Sequence, residues 1–107
     1  DAVDDQGTRD LIDAAKAGGV RHFIYMSALA GDQHSPVPLM AAKGRNEGYL
    51  RDSGMAWTVL APNLFMESWA TQIVAQPVQA GDPVVIIGQG RTRHTFVAEH
   101  DVAQFAV

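Results

Sequence analysis

Residues able to do chemistry fall at a few places in this 107-residue chain. Lys43 and Glu47 stand four apart in a stretch with helical spacing. Such a pair, as an ordinary surface contact, adds about 0.2–0.5 kcal/mol. Ser27 follows one apolar run, and Pro62-Asn63 follows another. Both points are the carboxyl ends of expected strands, where open α/β sheets bind ligands. Ser27 could equally satisfy a backbone group at the strand end, and Pro62 could simply close a strand and open a helix. Phe65, Met66 and Trp69 lie beyond that edge. They fit the wall of a small-molecule pocket, or a helix face packed on a sheet. Core packing suits Phe65 best, and Met66 and Trp69 stay open. His94, Glu99, His100 and Asp101 are metal-ligand types, but no spacing matches a closed metal site, so no metal is expected. A solvated helix start explains residues 99–101. His22 and His34 are isolated and read as structural or surface residues. Gly-x-Ser-x-Gly is absent, so no serine-hydrolase elbow can be argued.

The elements that must position these residues alternate between helix and strand. Gly7-Thr-Arg-Asp-Leu-Ile-Asp-Ala-Ala-Lys-Ala17 reads as a helix with Leu11, Ile12 and Ala15 on one face. Gly18 and Gly19 should end it, because glycine accepts the left-handed conformation. Residues 20–26 read as a parallel strand covered on both faces, since Phe23-Ile-Tyr-Met26 is apolar without alternation. Residues 31–39 are rich in Gly, Asp, Ser and Pro and read as a loop. The next helix carries Lys43 and Glu47. Gly44 and Gly48 weaken it by about 1 kcal/mol each, or allow close packing on the sheet. Ser53-Gly54 ends it, and residues 56–61 form the next strand. A third helix carries Phe65, Trp69 and Ile73 and should stop at Pro77. Residues 84–87 and 94–97 flank Gly88-Gln-Gly-Arg91, a turn or hairpin. Asp101 is placed to cap a last helix. The fold class is α/β, a partial Rossmann-like fold with parallel strands near 20–26 and 56–61 and flanking helices.

Composition narrows the function classes. Hydrophobic residues are 47% and charged residues 19%, ordinary for a globular domain. One domain spanning residues 1–107 is expected. The formal charge is −4 and no Lys/Arg run exists, so neither nucleic acid nor an anionic membrane is an expected partner. No cysteine is present, which removes disulfides and thiolate metal sites. The longest apolar stretch, Val84-Val-Ile-Ile87, is too short to cross a bilayer. With no signal-like segment, a cytoplasmic location is the default expectation. Asp1 in place of an initiating Met suggests a processed or excised chain.

The ordered pieces together resemble the atypical short-chain dehydrogenase/reductase family, in particular its NmrA-like branch. They are Gly7-Thr-Arg-Asp-Leu-Ile-Asp-Ala-Ala, Gly19-Val-Arg-His-Phe-Ile-Tyr-Met-Ser27, Lys43 with Glu47, Ser53-Gly-Met-Ala-Trp-Thr-Val-Leu60, Pro62-Asn-Leu-Phe-Met-Glu67 and Phe96-Val-Ala-Glu-His-Asp-Val-Ala103. The resemblance implies a Rossmann-like domain that binds NAD or NADP and transfers hydride to a small-molecule substrate. It implies that Lys43, as the lysine of Tyr-x-x-x-Lys, binds the nicotinamide ribose. It implies that Ser27, Pro62, Asn63 and Phe65 face the nicotinamide, with Met66 and Trp69 lining the substrate pocket. Three departures matter. Leu39 occupies the tyrosine position, so the usual proton donor is missing, and Tyr25 and Tyr49 are not at that spacing. Ala61 stands where arginine commonly precedes the proline. The family's first strand and Gly-x-x-Gly-x-x-Gly turn have no counterpart here, so the chain looks like the later part of the domain. That turn normally sets backbone N–H groups and a helix N-terminus against the pyrophosphate. The isolated chain is therefore expected to bind dinucleotide weakly or not at all. A non-catalytic dinucleotide sensor and a scaffold or association domain are the alternatives. A sheet lacking its first strands has open edges, so a homo-oligomer is expected, with strand exchange as one route.

Overall fold

The computed structural model describes residues 2–86 and 88–107. The chain divides into two compact units, Asp1–Ala61 and Pro62–Val107.

In the first unit, a wide-turned π-type segment, Ala2–Gly7, runs into helix α1, Thr8–Ala17. Ile12 is fully buried, whereas Leu11 turns outward at 60% exposure, so the expected apolar face is narrower than its sequence. The helix ends as foreseen at the glycine pair. Gly19 takes φ +79°, and the N–H groups of Gly19 and Val20 bond the carbonyls of Lys16 and Ala15 at 3.1 and 3.0 Å. That is the Schellman pattern, which satisfies carbonyls the helix leaves open.

Strand β1, His22–Met26, and strand β2, Ala56–Leu60, pair in parallel, His22 opposite Ala56 and Met26 opposite Leu60. Helix α2, Pro38–Asp52, connects them. Parallel strands need such a crossover because a tight turn cannot reverse the chain twice. One sheet face carries Phe23, Tyr25 and Val59 against Ile12 and Leu50. The other face bears Ile24 and Met26, both exposed, and a His22–Thr58 hydrogen bond of 2.8 Å. The expectation of a strand covered on both faces is therefore corrected: within this unit one face is covered.

The N-terminal segment is tied to α2 by charge. Asp5 accepts from Arg45 Nε at 2.9 Å and pairs with Arg9 at 3.1 Å. Asn46, fully buried, donates to the Asp4 carbonyl at 2.5 Å. Arg45 holds the Asp5 carboxyl below the usual carboxylate range, with Arg9 adding to it against the opposing effect of burial. Gly44 has a different role from close packing on the sheet. The loop after β1 crosses directly over it: an added Cβ would lie 2.2 Å from Gln33 N and 2.5 Å from Asp32 C.

In the second unit, the two-residue strands β3, Leu64–Phe65, and β4, Phe96–Val97, pair in parallel. A π-type helix, Glu67–Ala75, follows β3 and passes directly into α3, Gln76–Ala80. Two expectations change here. Phe65 belongs to a strand rather than to the helix. Pro77 does not stop the helix; it stands in the first turn of α3, and the helical run continues through it to Ala80. The helix stops instead at Gly81, with φ +77°. Residues 88–89 form a turn, but residues 84–86 form no strand, and Phe96–Val97 pairs with β3 instead. The hairpin is thus not formed among the described residues, and Ile87 lies outside them. Helix α4, Glu99–Phe105, begins before Asp101. Its first N–H, that of Glu99, is met by the Glu67 carboxylate at 3.1 Å, so Asp101 is not the cap.

Candidate functional site

Lys43 sits in the second turn of α2, and its side chain reaches the carboxyl end of β1. Nζ donates to the Met26 carbonyl at 2.9 Å and stands 5.3 Å from the centre of the Tyr25 ring. The expected Lys43–Glu47 pair is not formed. Glu47 accepts from Ser27 Oγ at 2.5 Å through one oxygen and from Arg51 at 2.7 Å through the other. Arg51 also covers the Trp57 ring at 5.4 Å. Helical spacing put Lys43 within reach of Glu47, but the buried Ser27 hydroxyl and the Arg51 guanidinium occupy both carboxylate oxygens in charge-assisted bonds. Lys43 is left with neutral partners among the described residues.

Ser27 is only 4% exposed. Its N–H continues the β ladder to Leu60 O at 2.7 Å. Its hydroxyl goes to the Glu47 carboxylate, not to a backbone group at the strand end. Gly31 closes over this bond, since a Cβ there would meet Ser27 Oγ at 2.9 Å and Glu47 Oε1 at 3.1 Å. Next to it is an open polar pocket of about 250 Å³, bounded by Gly31, Asp32, Gln33, Glu47, Gly48 and Arg51.

Neither tyrosine hydroxyl is offered to a ligand from Leu39's place. Leu39 itself is partly exposed at the start of α2. Tyr49 OH donates to both Asp13 oxygens, at 2.8 and 2.9 Å, and that bond raises its phenol above the ordinary value. Tyr25 is buried at 7% exposure, and burial pushes its phenol up, with Asn46 offsetting part of the shift. Among the described residues, both Tyr25 OH and Asn46 Oδ1 are buried without a hydrogen-bond partner. Tyr25 stands outside the Tyr-x-x-x-Lys spacing, so that motif does not mark it. Strand alternation carried the signal: counting back two from Ser27 puts Tyr25 on the same side of β1.

The remaining candidates lie in the second unit. Asn63 Nδ2 donates to Thr95 Oγ1 at 2.6 Å, tying the start of β3 to the start of β4. Pro62 precedes this short strand and starts no helix. Phe65 is half-buried in β3, and Met66 and Trp69 are exposed at and just inside the start of the π-type helix. Among the described residues, no group of three His, Cys, Asp or Glu side chains could hold a metal ion. No helix there is long and apolar enough to cross a membrane.

The family model described as NAD(P)H-binding matches residues 1–107, the whole chain. The chain belongs to the NAD(P)H-binding family. The chain is similar to NAD(P)H azoreductase of Xenophilus azovorans, 33% identical over 98 residues, covering 91% of this chain and 33% of that protein. Photosystem II assembly factor Ycf39 of Guillardia theta is 30% identical over 105 residues, covering 98% and 33%. (4-alkanoyl-5-oxo-2,5-dihydrofuran-3-yl)methyl phosphate reductase of Streptomyces griseus is 39% identical over 64 residues, covering 56% and 23%. The chain spans about a third of the length of the first two. Membership in the NAD(P)H-binding family bears out the atypical short-chain dehydrogenase/reductase resemblance. It supports a nicotinamide dinucleotide as ligand and an oxidoreductase-like protein. The site's chemistry fits the nicotinamide-ribose side of that ligand, because Lys43 keeps N–H donors at the sheet edge where such ligands lie. The pyrophosphate side has no match among the described residues: Gly88 and Gly90 lie in a turn with no strand before it.

Proposed function

We propose that the chain is the nicotinamide-side part of an NAD(P)-binding oxidoreductase of the NmrA-like type. The observation that carries this reading is Lys43, whose ammonium is held at the carboxyl end of β1 by a backbone carbonyl, with no carboxylate neutralising it among the described residues. An ammonium has three donors, so two remain for ribose hydroxyls. Ser27, locked to Glu47, shapes the floor beside it. Pro62, Asn63 and Phe65 face the nicotinamide in this reading, and Met66 and Trp69 line the pocket for a small-molecule substrate. NAD(P)H supplies the hydride when bound. Lys43 orients and contributes positive charge; Leu39 supplies no proton. The choice between NAD and NADP, a cytoplasmic location and a homo-oligomeric state belong to the same proposal. The last is supported by the two-stranded sheet, in which β1 and β2 each pair on one side alone among the described residues.

A second reading, a sensor that binds the dinucleotide without turnover, is favoured by Leu39, by the commitment of the Tyr49 hydroxyl to Asp13 and by the burial of Tyr25. The test is NADH and NADPH titration of the full-length gene product, followed by turnover on quinone, aldehyde and azo-compound panels. Azo compounds are included because one relative is named an azoreductase. Binding with turnover supports the oxidoreductase; tight binding with none supports the sensor. Lys43→Met should weaken binding about tenfold, the loss of one charged hydrogen-bonding group. Unchanged affinity in that variant would refute the role given to Lys43.

A further inference from the structure

We propose that Tyr25 is a positioning residue, its buried ring serving as a cation–π floor that fixes the Lys43 ammonium and aims it at the ligand. The Nζ stands 5.3 Å from the ring centre, inside the roughly 6 Å reach of this interaction. Tyr25 is 7% exposed, so little water competes on the protein side, and such contacts strengthen when desolvated. The ring cannot drift, because it is packed in the core with Ile12 and Leu50.

The second half of the argument is what else could hold Lys43. The nearest acidic residue on its helix face, Glu47, is committed to Ser27 and Arg51. Asp4 and Asp5 act on Tyr25 only at a distance, and Asp5 is paired with Arg45 and Arg9. Lys43 is thus held by a carbonyl and an aromatic face. Both are neutral, so they orient the cation without cancelling its charge. A carboxylate partner would hold it as firmly but compete with the ligand. The hydroxyl of Tyr25, unpartnered and buried, takes no part in holding Lys43. The inference rests on Lys43 as the ribose-holding residue and adds the device that orients it.

The experiment is graded fluorination of the ring at position 25 in the full-length gene product, which keeps shape while draining the ring face. NADH and NADPH dissociation constants should rise stepwise, in total about two- to fivefold, the worth of one such contact. Tyr25→Phe should bind as the wild type does, and Tyr25→Leu should match the fully fluorinated ring. In a Lys43→Met background none of these changes should alter affinity. Fluorination without effect, or with equal effect in Lys43→Met, overturns the inference. If Lys43→Met itself leaves affinity unchanged, the ribose reading fails separately, and NMR then decides the contact alone. The Lys43 side-chain methylene protons should be shifted upfield by the ring in wild type and Tyr25→Phe, and not in Tyr25→Leu. Absence of that shift in the wild type also overturns it. Should Tyr25→Leu unfold, the fluorinated series, which conserves shape, carries the test.

Discussion

Gly44→Ala and Gly48→Ala, one turn apart on α2, should differ in stability, the second raising it and the first losing that gain or more. Both positions are helical and neither has a positive φ. Intrinsic propensity therefore favours alanine at each by about 1 kcal/mol. At Gly48 an added Cβ meets nothing within 4 Å, so the whole gain should appear. At Gly44 it would sit 2.2 Å from Gln33 N and 2.7 Å from Asp32 Cα. These are backbone atoms, which no rotamer change can move. The loop would have to retreat by about 1.2 Å to restore an ordinary 3.4 Å contact. Overpacking of this kind costs about 1–3 kcal/mol. The retreat also pulls on the Asp32 N–H bond to Met40 O, already 3.2 Å long. The propensity gain is common to both variants, so the gap between them isolates the clash at about 1–3 kcal/mol. In a chain of this size each kcal/mol moves Tm by about 4–8 °C. Circular-dichroism melts and urea titrations of the two variants beside the wild type are the assay. Gly48→Ala should melt above the wild type, and Gly44→Ala at least about 4 °C below Gly48→Ala. Equal melts, or Gly44→Ala the more stable, would show that the loop does not lie across α2.

Other outcomes follow from the same contacts. Asp5→Asn should cost about 1 kcal/mol near neutrality, a charged pair discounted for partial exposure. Because Arg45 and Arg9 lower the Asp5 carboxyl, that stabilisation is complete above the ordinary carboxylate range and lost as pH falls through the depressed value. Urea midpoints of wild type and Asp5→Asn should thus converge below about pH 4, and midpoints that stay apart in stronger acid would exclude the pairing. Glu47→Ala leaves the Ser27 hydroxyl, 4% exposed, without its acceptor and should cost about 1–3 kcal/mol in urea titration. Adding Ser27→Ala should recover part of that loss, and strict additivity would mean the two do not interact. The 107-residue chain alone should show no calorimetric affinity for NADH or NADPH at physiological concentrations, and micromolar binding would sink that expectation. Light scattering at micromolar concentration should report a dimer or larger species; a monomer with a cooperative melt would exclude edge-driven association.

Much of the first unit was legible because local rules and the observed geometry coincide there. Gly18-Gly19 announces the end of α1, since a left-handed residue is needed and glycine accepts it without strain. The apolar runs and the intervening helix announce a parallel pair. Other features depend on what meets what. An apolar strand records which faces avoid water, not which face finds a cover, so Ile24 and Met26 were assigned a partner layer that this unit lacks. Helical spacing showed Glu47 within reach of Lys43, but not that Ser27, twenty residues earlier, would claim it. Gly44 looked like a helix weakness, and its use by a crossing loop is visible only in three dimensions. Pro77 reads as a stop, but it falls where π-type turns pass into α turns, a boundary that leaves no mark in composition. Of the candidate residues, Ser27 stands at a strand's carboxyl end, as its place after an apolar run implies, whereas the reach of Lys43 from α2 to that same edge is visible only in three dimensions. Tyr25 escaped because its contribution is a ring face rather than a hydroxyl.

The bond from the Glu99 N–H to the Glu67 carboxylate has a consequence for how the second unit opens. Helix α4 has seven residues, too few to persist alone in water. Its start is completed by a side chain from a helix 32 residues earlier. Neither helix start is then a separate layer of stability. When Glu67–Ala75 unwinds, α4 loses its first donor's partner at the same moment. Amide hydrogens of the two helices should therefore exchange as one cooperative block. The end of the chain is kept folded by the carboxylate of a distant helix rather than by its own sequence.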